Sequence, residues 1–524
     1  MTAPASHPNV DHLVVLMFEN RSFDNLLGHL YPPGSLPEGQ HFDGVANGQY
    51  SNPSPAGPIA AHIYQGPTDQ IFRSPTPDPG EEYQHVNTQL FGIVDPPANA
   101  ELDAEKMLAP WNNPPAGLTP TMDGFVADYR NNFFVTEGRQ PTPEEYSVIM
   151  GGFSADMLPV MSTLAREFAV YDRWFCAVPS QTVCNRSFFH ASTSSGFVTN
   201  KCGEGYKKWK RNSAPTIFNR LEDAGIPWAV YYDETQVASL TGVFHAPSLE
   251  PYWQTRFFGM DRFYSDVANG TLPAYSFIEP RIVFNQNDMH PLYESLYVTM
   301  PDGSKEAVGV VNDVRAGEKL LHEVYSAIRA SATPDGSNNQ NTMLLVTFDE
   351  HGGCYDHVPP PAAVPPDPVG PDGSAPAAEP EMGFGFDRLG VRVPAIAISA
   401  WTKSGTIIHD EMHHGAVIAT LCRKHGLPPL TKRDLGANDL TNALNLAEPR
   451  PTADWPHTTA QYVPPNPEAG GPFTLEQTRA PLTAPGVLLM GMLAARYGKP
   501  GEPTPTTYGE AYEMLRRCQG IFGR

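Results

Sequence analysis

Two short apolar runs, LVVLMF at residues 13–18 and MLLVTF at 343–348, end abruptly in polar and acidic residues. Glu19-Asn20 follows the first and Asp349-Glu350 the second. Neither run alternates polar with apolar, so neither suits a sheet with one wet face. Continuous stretches of Val, Leu, Ile and aromatics are what strands buried on both faces require. Trp228–Tyr232, Tyr275–Ile278 and Ala395–Ser399 have the same character. Between them lie helical patterns. Glu318–Ser331 sets Leu320, Leu321, Val324 and Ile328 on one stripe, and Met157–Phe168, Ile217–Ala224 and Ala416–His425 read likewise. The last two stop at Gly225 and Gly426, the residue type favoured just past a helix end. Strands alternating with helices predict an α/β fold with a central, mostly parallel sheet flanked by helices.

Two stretches interrupt the pattern. Residues 32–122 are dense in Pro, Gly, Asn and Asp and predict a loop-rich insertion over one face. Residues 358–383 are low in complexity and predict a Pro-rich flap. Residues 1–450 are thus expected to form one enlarged domain. Residues 451–524 form a C-terminal extension on it, ending in helical patterns near 484–497 and 508–517.

With 35 basic against 57 acidic residues the formal charge is −22, a field that repels nucleic acid and anionic bilayers. No basic stripe offsets it, so no nucleic-acid partner is expected. No run approaches the ~18 apolar residues of a membrane span, so no integral membrane association is expected. The N-terminus lacks a basic region ahead of an apolar one, which predicts a cytoplasmic protein, with a periplasmic or secreted form as the alternative. The six cysteines (176, 184, 202, 354, 422, 518) show neither a disulfide framework nor a Cys-x-x-Cys pattern, and mostly reduced thiols are expected. The oligomeric state is left open.

The strand ends carry the chemistry. In open α/β sheets ligands gather beyond the carboxyl ends of strands. Adjacent carboxylates at the mouth of an apolar core repel each other and lose solvation unless a cation compensates them. A divalent ion held by Glu19, Asn20, Asp349 and Glu350 would have the oxygen donors that suit a hard metal. The competing readings are a helix start capped by Asn20 or Ser22, and a solvated strand end at Asp349-Glu350. Histidines in Pro- or Gly-flanked loops, namely His85, His245, His290 and the pair His413-His414, are candidates to converge on the same place. In PSQTVCNRSF (179–188) a metal site of oxygen donors favours a hydroxyl over the Cys184 thiol, leaving Ser180, Thr182 and Ser187 as possible nucleophiles.

The segments FENRSFD, VPSQTVCNRSFFHASTSSG and TFDEHGGCYDHVPPP resemble the phosphoesterase family of bacterial and plant non-specific phospholipases C and acid phosphatases, within the alkaline-phosphatase-like superfamily. The likeness continues through GVRVPAIAISAW and the residues up to about 435. It implies an alkaline-phosphatase-like fold and one divalent metal ion, with Ca, Mg and Zn not distinguished. The implied ligands are Glu19, Asn20, Asp349 and Glu350, together with the nucleophile, whose position falls on Thr182. Cys184 falls where the family has proline and is expected to be a packing residue. The resemblance also implies that His245 and His290 surround the phosphoryl group, with Asn20 orienting one of its oxygens. This chain departs from the family at three places: Phe244 for the first histidine of an HHNP pattern, Glu81 for the histidine of DPGH, and His413-His414-Gly415-Ala416 for DHTS. Glu81, His85 and His414 are accordingly expected to contact substrate, and His357 to hold its loop. The implied activity is hydrolysis of a phosphodiester in the phospholipase C manner through a phosphothreonine, on a phosphate ester or phospholipid substrate. The alternatives are an acid phosphatase and a metal-binding module with altered catalysis. A sulfatase is excluded because Cys184 is followed by Asn-Arg-Ser rather than x-Pro-x-Arg.

Overall fold

Eight strands form one sheet in the computed structural model, which describes residues 9–201, 203–291, 297–299, 305–307, 312–367, 380–463, 478–499 and 501–522. In chain order they are β1 (His12–Phe18), β2 (Ala169–Tyr171), β3 (Trp228–Tyr232), β4 (Phe257–Gly259), β5 (Tyr275–Ile278), β6 (Thr342–Phe348), β7 (Ala395–Ile398) and β8 (Thr406–Ile408). Across the sheet the order is β8-β2-β7-β6-β1-β5-β3-β4. Every neighbouring pair is parallel except the two made by β7. The two acid-tipped strands lie side by side at the centre, and from Val14 to Phe18 and from Leu344 to Val346 no residue is more than 1% exposed. The expected mostly parallel sheet is present, with its five expected strands in place. β2, β4 and β8 are additional, each only three residues long and therefore without a readable period.

The expected helices form at α3 (Pro159–Glu167), α5 (Ile217–Asp223), α6 (Val314–Ala330), α7 (Gly415–His425), α8 (Ala484–Tyr497) and α9 (Tyr508–Arg517). Other helices lie outside those patterns, among them α1 (Tyr83–Phe91), α2 (Phe125–Glu137) and α4 (Thr182–Ala191). α1 lies inside the 32–122 insertion, and all nine of its residues are buried, polar ones included. Most of its polar side chains find partners within the fold, although Gln84 Oε1 has none. Gln84 Nε2 donates to Ala104 O at 2.7 Å, and Asn87 Nδ2 to Asn113 Oδ1 at 3.0 Å.

The arms of the 358–383 stretch are tied together by Ala363 N–H to Asp387 O at 2.7 Å and Leu389 N–H to Pro361 O at 3.1 Å. The expected flap between them falls partly on residues 368–379, outside the described residues. From the tail, Leu488, Leu489, Met492 and Leu493 of α8 are buried in the same core as the sheet. Among the described residues no helix is long and apolar enough to cross a membrane, and the described cysteines form no disulfide with one another.

One long-range contact fixes how α3 enters the fold. Glu318 of α6, fully buried, accepts the N–H groups of Val160 at 2.8 Å and Met161 at 2.7 Å. These are first-turn donors that an isolated helix leaves unsatisfied. Glu318→Ala strands both, so a loss of roughly 2–3 kcal/mol is expected in urea unfolding. The expected activity, measured per folded molecule, should be unchanged.

Candidate active site

The register of β1 against β6 pairs Phe18 with Phe348, so both chains leave the sheet at the same level. Asp349 N–H donates to Phe18 O at 3.2 Å and Arg21 N–H to Glu350 O at 3.1 Å, which carries the pairing past the strand ends. Asp349 Oδ1 accepts the N–H groups of Asn20 at 3.1 Å and Glu350 at 2.7 Å. Asn20 itself has φ 57°, a left-handed conformation that Asn tolerates better than most residues. The turn after Glu350 packs against it. Gly352 has φ 60°, and a Cβ there would lie 2.2 Å from Asn20 O. The next glycine, Gly353, leaves no more room, its Cβ position lying 2.4 Å from Gly80 O of the insertion.

Three carboxylates therefore meet in a dry floor, with Glu19, Asp349 and Glu350 all 0% exposed. The Arg186 guanidinium opposes two of them. Arg186 Nε donates to Asp349 Oδ2 at 3.0 Å and its Nη2 to Glu19 Oε1 at 3.1 Å. Burial pushes Glu19 well above the usual carboxylate range although Arg186 pulls it back. Glu350 is raised well above as well, by burial and then by the charges of Glu81 and Asp349. Glu19 Oε2 and Glu350 Oε1 are buried with no hydrogen-bond partner. A floor with excess negative charge, two unpartnered oxygens and the Asn20 amide fits a hard divalent cation.

Arg186 belongs to α4, whose first residue is Thr182, one turn away. Thr182 Oγ1 donates to Asn20 Oδ1 at 3.5 Å. The Asn20 side chain also donates to Glu81 Oε2, and His290 Nε2 lies 2.8 Å from its amide nitrogen. His290 Nε2 is 3.6 Å from Glu81 and 3.7 Å from Asp78. Above them opens a cavity of about 250 Å³ lined by Thr182, Gln181, Asp78, Glu81, His85 and His290. Glu82, Asp103 and Glu105 add acid to its walls, and α8 contributes Ala484, Pro485, Val487 and Leu488. His85 is aimed by a carboxylate, its Nδ1 lying 2.9 Å from Asp128 Oδ1, while Asp128 Oδ2 accepts Gln89 Nε2 at 2.8 Å.

The Phosphoesterase family model matches residues 10–428. The chain belongs to the Phosphoesterase family. It is accordingly a hydrolase acting on phosphoric ester bonds. Non-specific phospholipase C3 of Arabidopsis thaliana is 33% identical over 457 residues, covering 84% of this chain and 74% of that protein. Phospholipase C B of Mycobacterium tuberculosis (strain ATCC 25618 / H37Rv) is 24% identical over 487 residues, covering 87% and 82%. Among solved structures, a protein in the alkaline phosphatase superfamily from Vibrio parahaemolyticus aligns with TM-score 0.31 and 14% identity, over 55% of this chain and 65% of that one.

In this phosphoesterase Glu19, Asn20, Asp349 and Glu350 share the floor, and Thr182, Glu81, His85 and His290 share the cavity above it. His245 and His414 are not brought there. His245 is buried beside Phe244 and His190, with ring centroids at 4.4 and 5.8 Å, and its Nδ1 is 3.2 Å from Asn212 Nδ2. Burial pushes it down to about 3. His414 sits behind the floor. Its Nδ1 accepts the Trp174 indole N–H at 3.3 Å, and its Nε2 donates to the Asp349 carbonyl at 2.6 Å. It positions a floor residue and does not line the cavity. Sequence reasoning missed Arg186, although the Asn185-Arg186 pair marked it. It also missed Asp128 and the α8 residues, for which no local signal exists.

Burial works against a charged His85, but Asp128, Glu82 and Asp103 outweigh it and raise the group to about 9. A histidine raised above its unfolded value of about 6.5 stabilises the fold fully below that pH, and the contribution is lost as pH rises through about 9. The stability difference between the wild type and His85→Gln should therefore shrink across that window in urea melts. A difference independent of pH would show that the proton is not held there.

Proposed function

We propose that this phosphoesterase hydrolyses phosphodiesters in the phospholipase C manner, through a phosphothreonine on Thr182, in a site completed by one divalent cation. The observation that carries the reading is the placement of Thr182. It is the first residue of a ten-residue helix, faces the cavity, and hydrogen-bonds Asn20 beside a floor with unneutralised charge. A helix N-terminus favours the negative charge of a phosphoryl group. Ser180 and Ser187 are committed elsewhere, to the carbonyls of Val198 and Thr193.

Glu19, Asn20, Asp349 and Glu350, with the Thr182 hydroxyl, would hold the cation. When bound, such an ion lowers the pKa of a hydroxyl and offsets charge on the phosphoryl oxygens. The remaining chemistry belongs to the chain. Thr182 Oγ1 attacks phosphorus as the bond to the leaving alcohol breaks. His290, across the same cavity, is placed to give that oxygen its proton and to take one from the water that releases the phosphorylated head group. Asn20 fixes the threonine hydroxyl, and Arg186 fixes the floor from behind. Most of the rate advantage comes from such positioning.

The acidic walls favour a diester over a monoester. A monoester dianion entering past Glu81, Glu82 and Asp103 meets about twice the repulsion that a diester monoanion meets. Lys201, which also lines the cavity, is already paired with Glu105. The apolar side presented by α8 suits a lipid-like alcohol. The relatives named phospholipases C support the same reading.

Thr182→Val should lower turnover by about a thousandfold or more, the scale seen when a covalent nucleophile is removed. Cys184→Ala should retain turnover. Acid quenching of the wild type in turnover should leave phosphate on Thr182, detectable by mass spectrometry of the peptide. Survival of activity in Thr182→Val would overturn the mechanism. A higher kcat/KM is expected for p-nitrophenylphosphorylcholine than for p-nitrophenyl phosphate, and the reverse order would identify a monoesterase. Chelation should abolish activity, and added divalent metal should restore it.

A further inference from the structure

A second group of ligand-type side chains stands two strands away from the catalytic floor. β2 and β8 are parallel, with Tyr171 opposite Ile408, so the residues that follow, Asp172 and His409, emerge together from the edge of the sheet. His409 Nδ1 lies 2.9 and 3.0 Å from the two Asp172 oxygens. The start of the 32–122 insertion brings a third residue to them. Asp43 N–H donates to Asp172 Oδ2 at 2.9 Å, and two residues earlier the His41 ring lies 5.6 Å from that of His409. One ligand atom from each of His41, Asp172 and His409 lies within 4.8 Å of the others.

We infer that His41, Asp172 and His409 form a zinc-type metal site that pins the start of the insertion to the edge of the sheet. An ordinary ion pair accounts for His409 beside Asp172, but not for a second imidazole delivered by a separate segment. Two imidazoles packed together repel if both are protonated, whereas a shared cation draws both in as neutral ligands. Two nitrogens and one carboxylate oxygen match the donor set of Zn²⁺ and disfavour Ca²⁺ or Mg²⁺, which prefer all-oxygen shells. Asp172 is fully buried and His41 and His409 are exposed. The carboxylate is thus fixed by the fold, while the imidazoles leave an open side for water. The site shares no residue with the floor of Glu19, Asn20, Asp349 and Glu350. A ligand that binds only the folded chain stabilises it by mass action, so zinc here should strengthen the attachment of the insertion.

The test compares the holoenzyme with the His41→Ala/His409→Ala double variant. Both are dialysed to equilibrium against Zn²⁺ with excess Mg²⁺ and Ca²⁺ present, and the bound zinc is measured. The wild type should bind one zinc per chain more than the variant, and zinc should raise the thermal midpoint of the wild type only. Activity measured before zinc is added should match in the two proteins, because neither histidine lines the catalytic cavity. His41→Ala alone separates a metal site from a His–Asp pair. Partners outside the coordination shell are worth about 10–100-fold in metal affinity, so loss of a direct ligand should weaken zinc binding by at least about tenfold. Equal zinc uptake by wild type and double variant, or unchanged affinity in His41→Ala, would overturn the inference.

Discussion

One buried guanidinium ties the sheet, the helix that begins with Thr182 and the floor together. Arg186 reaches Glu19 at the end of β1 and Asp349 at the end of β6, from the same helix that begins with Thr182. Its distance from both carboxylates therefore fixes the depth at which α4 sits against the sheet. Removing one partner of a buried ion pair leaves an uncompensated charge, which is far costlier than losing a surface pair. The floor still keeps a surplus of negative charge after Arg186 is counted. The same interaction that makes the site rigid leaves it short of positive charge, and a cation site needs both properties.

Around this centre, buried groups outside the cavity hold those of the floor and the cavity wall. His414 grips the Asp349 carbonyl, Asp128 aims His85, and Gln89 spans Asp128, Gly80 O and His351. Donors and acceptors fixed in advance cost no reorganisation when charge develops.

The strands were legible because burial on both faces leaves an unbroken apolar run, and the acids at their tips were legible because such residues are out of place at the edge of a core. The three-residue strands β2, β4 and β8 carry no period and gain their identity only from neighbours. α1 defeated pattern reading for a different reason. It is buried on all sides yet rich in Gln, His, Asn and Thr, so Tyr83, Val86 and Leu90 give only a narrow apolar stripe, and most of its polar groups pair with residues outside the helix. The histidines show the same limit. His245 and His290 both occur in short loop-like contexts beside proline, and only their tertiary partners, Phe244 and His190 for one, Asn20, Asp78 and Glu81 for the other, send one to an aromatic interior and the other to the cavity. The apolar side of that cavity comes from α8, some three hundred residues after Thr182, and local sequence carries no hint of it.

The contact between Gly353 and Gly80 joins two regions that the chain keeps far apart. The turn below the floor and the corner that bears Asp78 and Glu81 approach so closely that a Cβ on Gly353 would meet Gly80 O and Pro79 Cβ. Floor and acidic wall consequently behave as one solid part. The third wall is supplied by α8, which brings Ala484, Pro485, Val487 and Leu488 to the same cavity. Sequence change in that helix can reshape the mouth without disturbing the reacting groups. The shape of the mouth and the chemistry of the floor are thus set by separate parts of the chain.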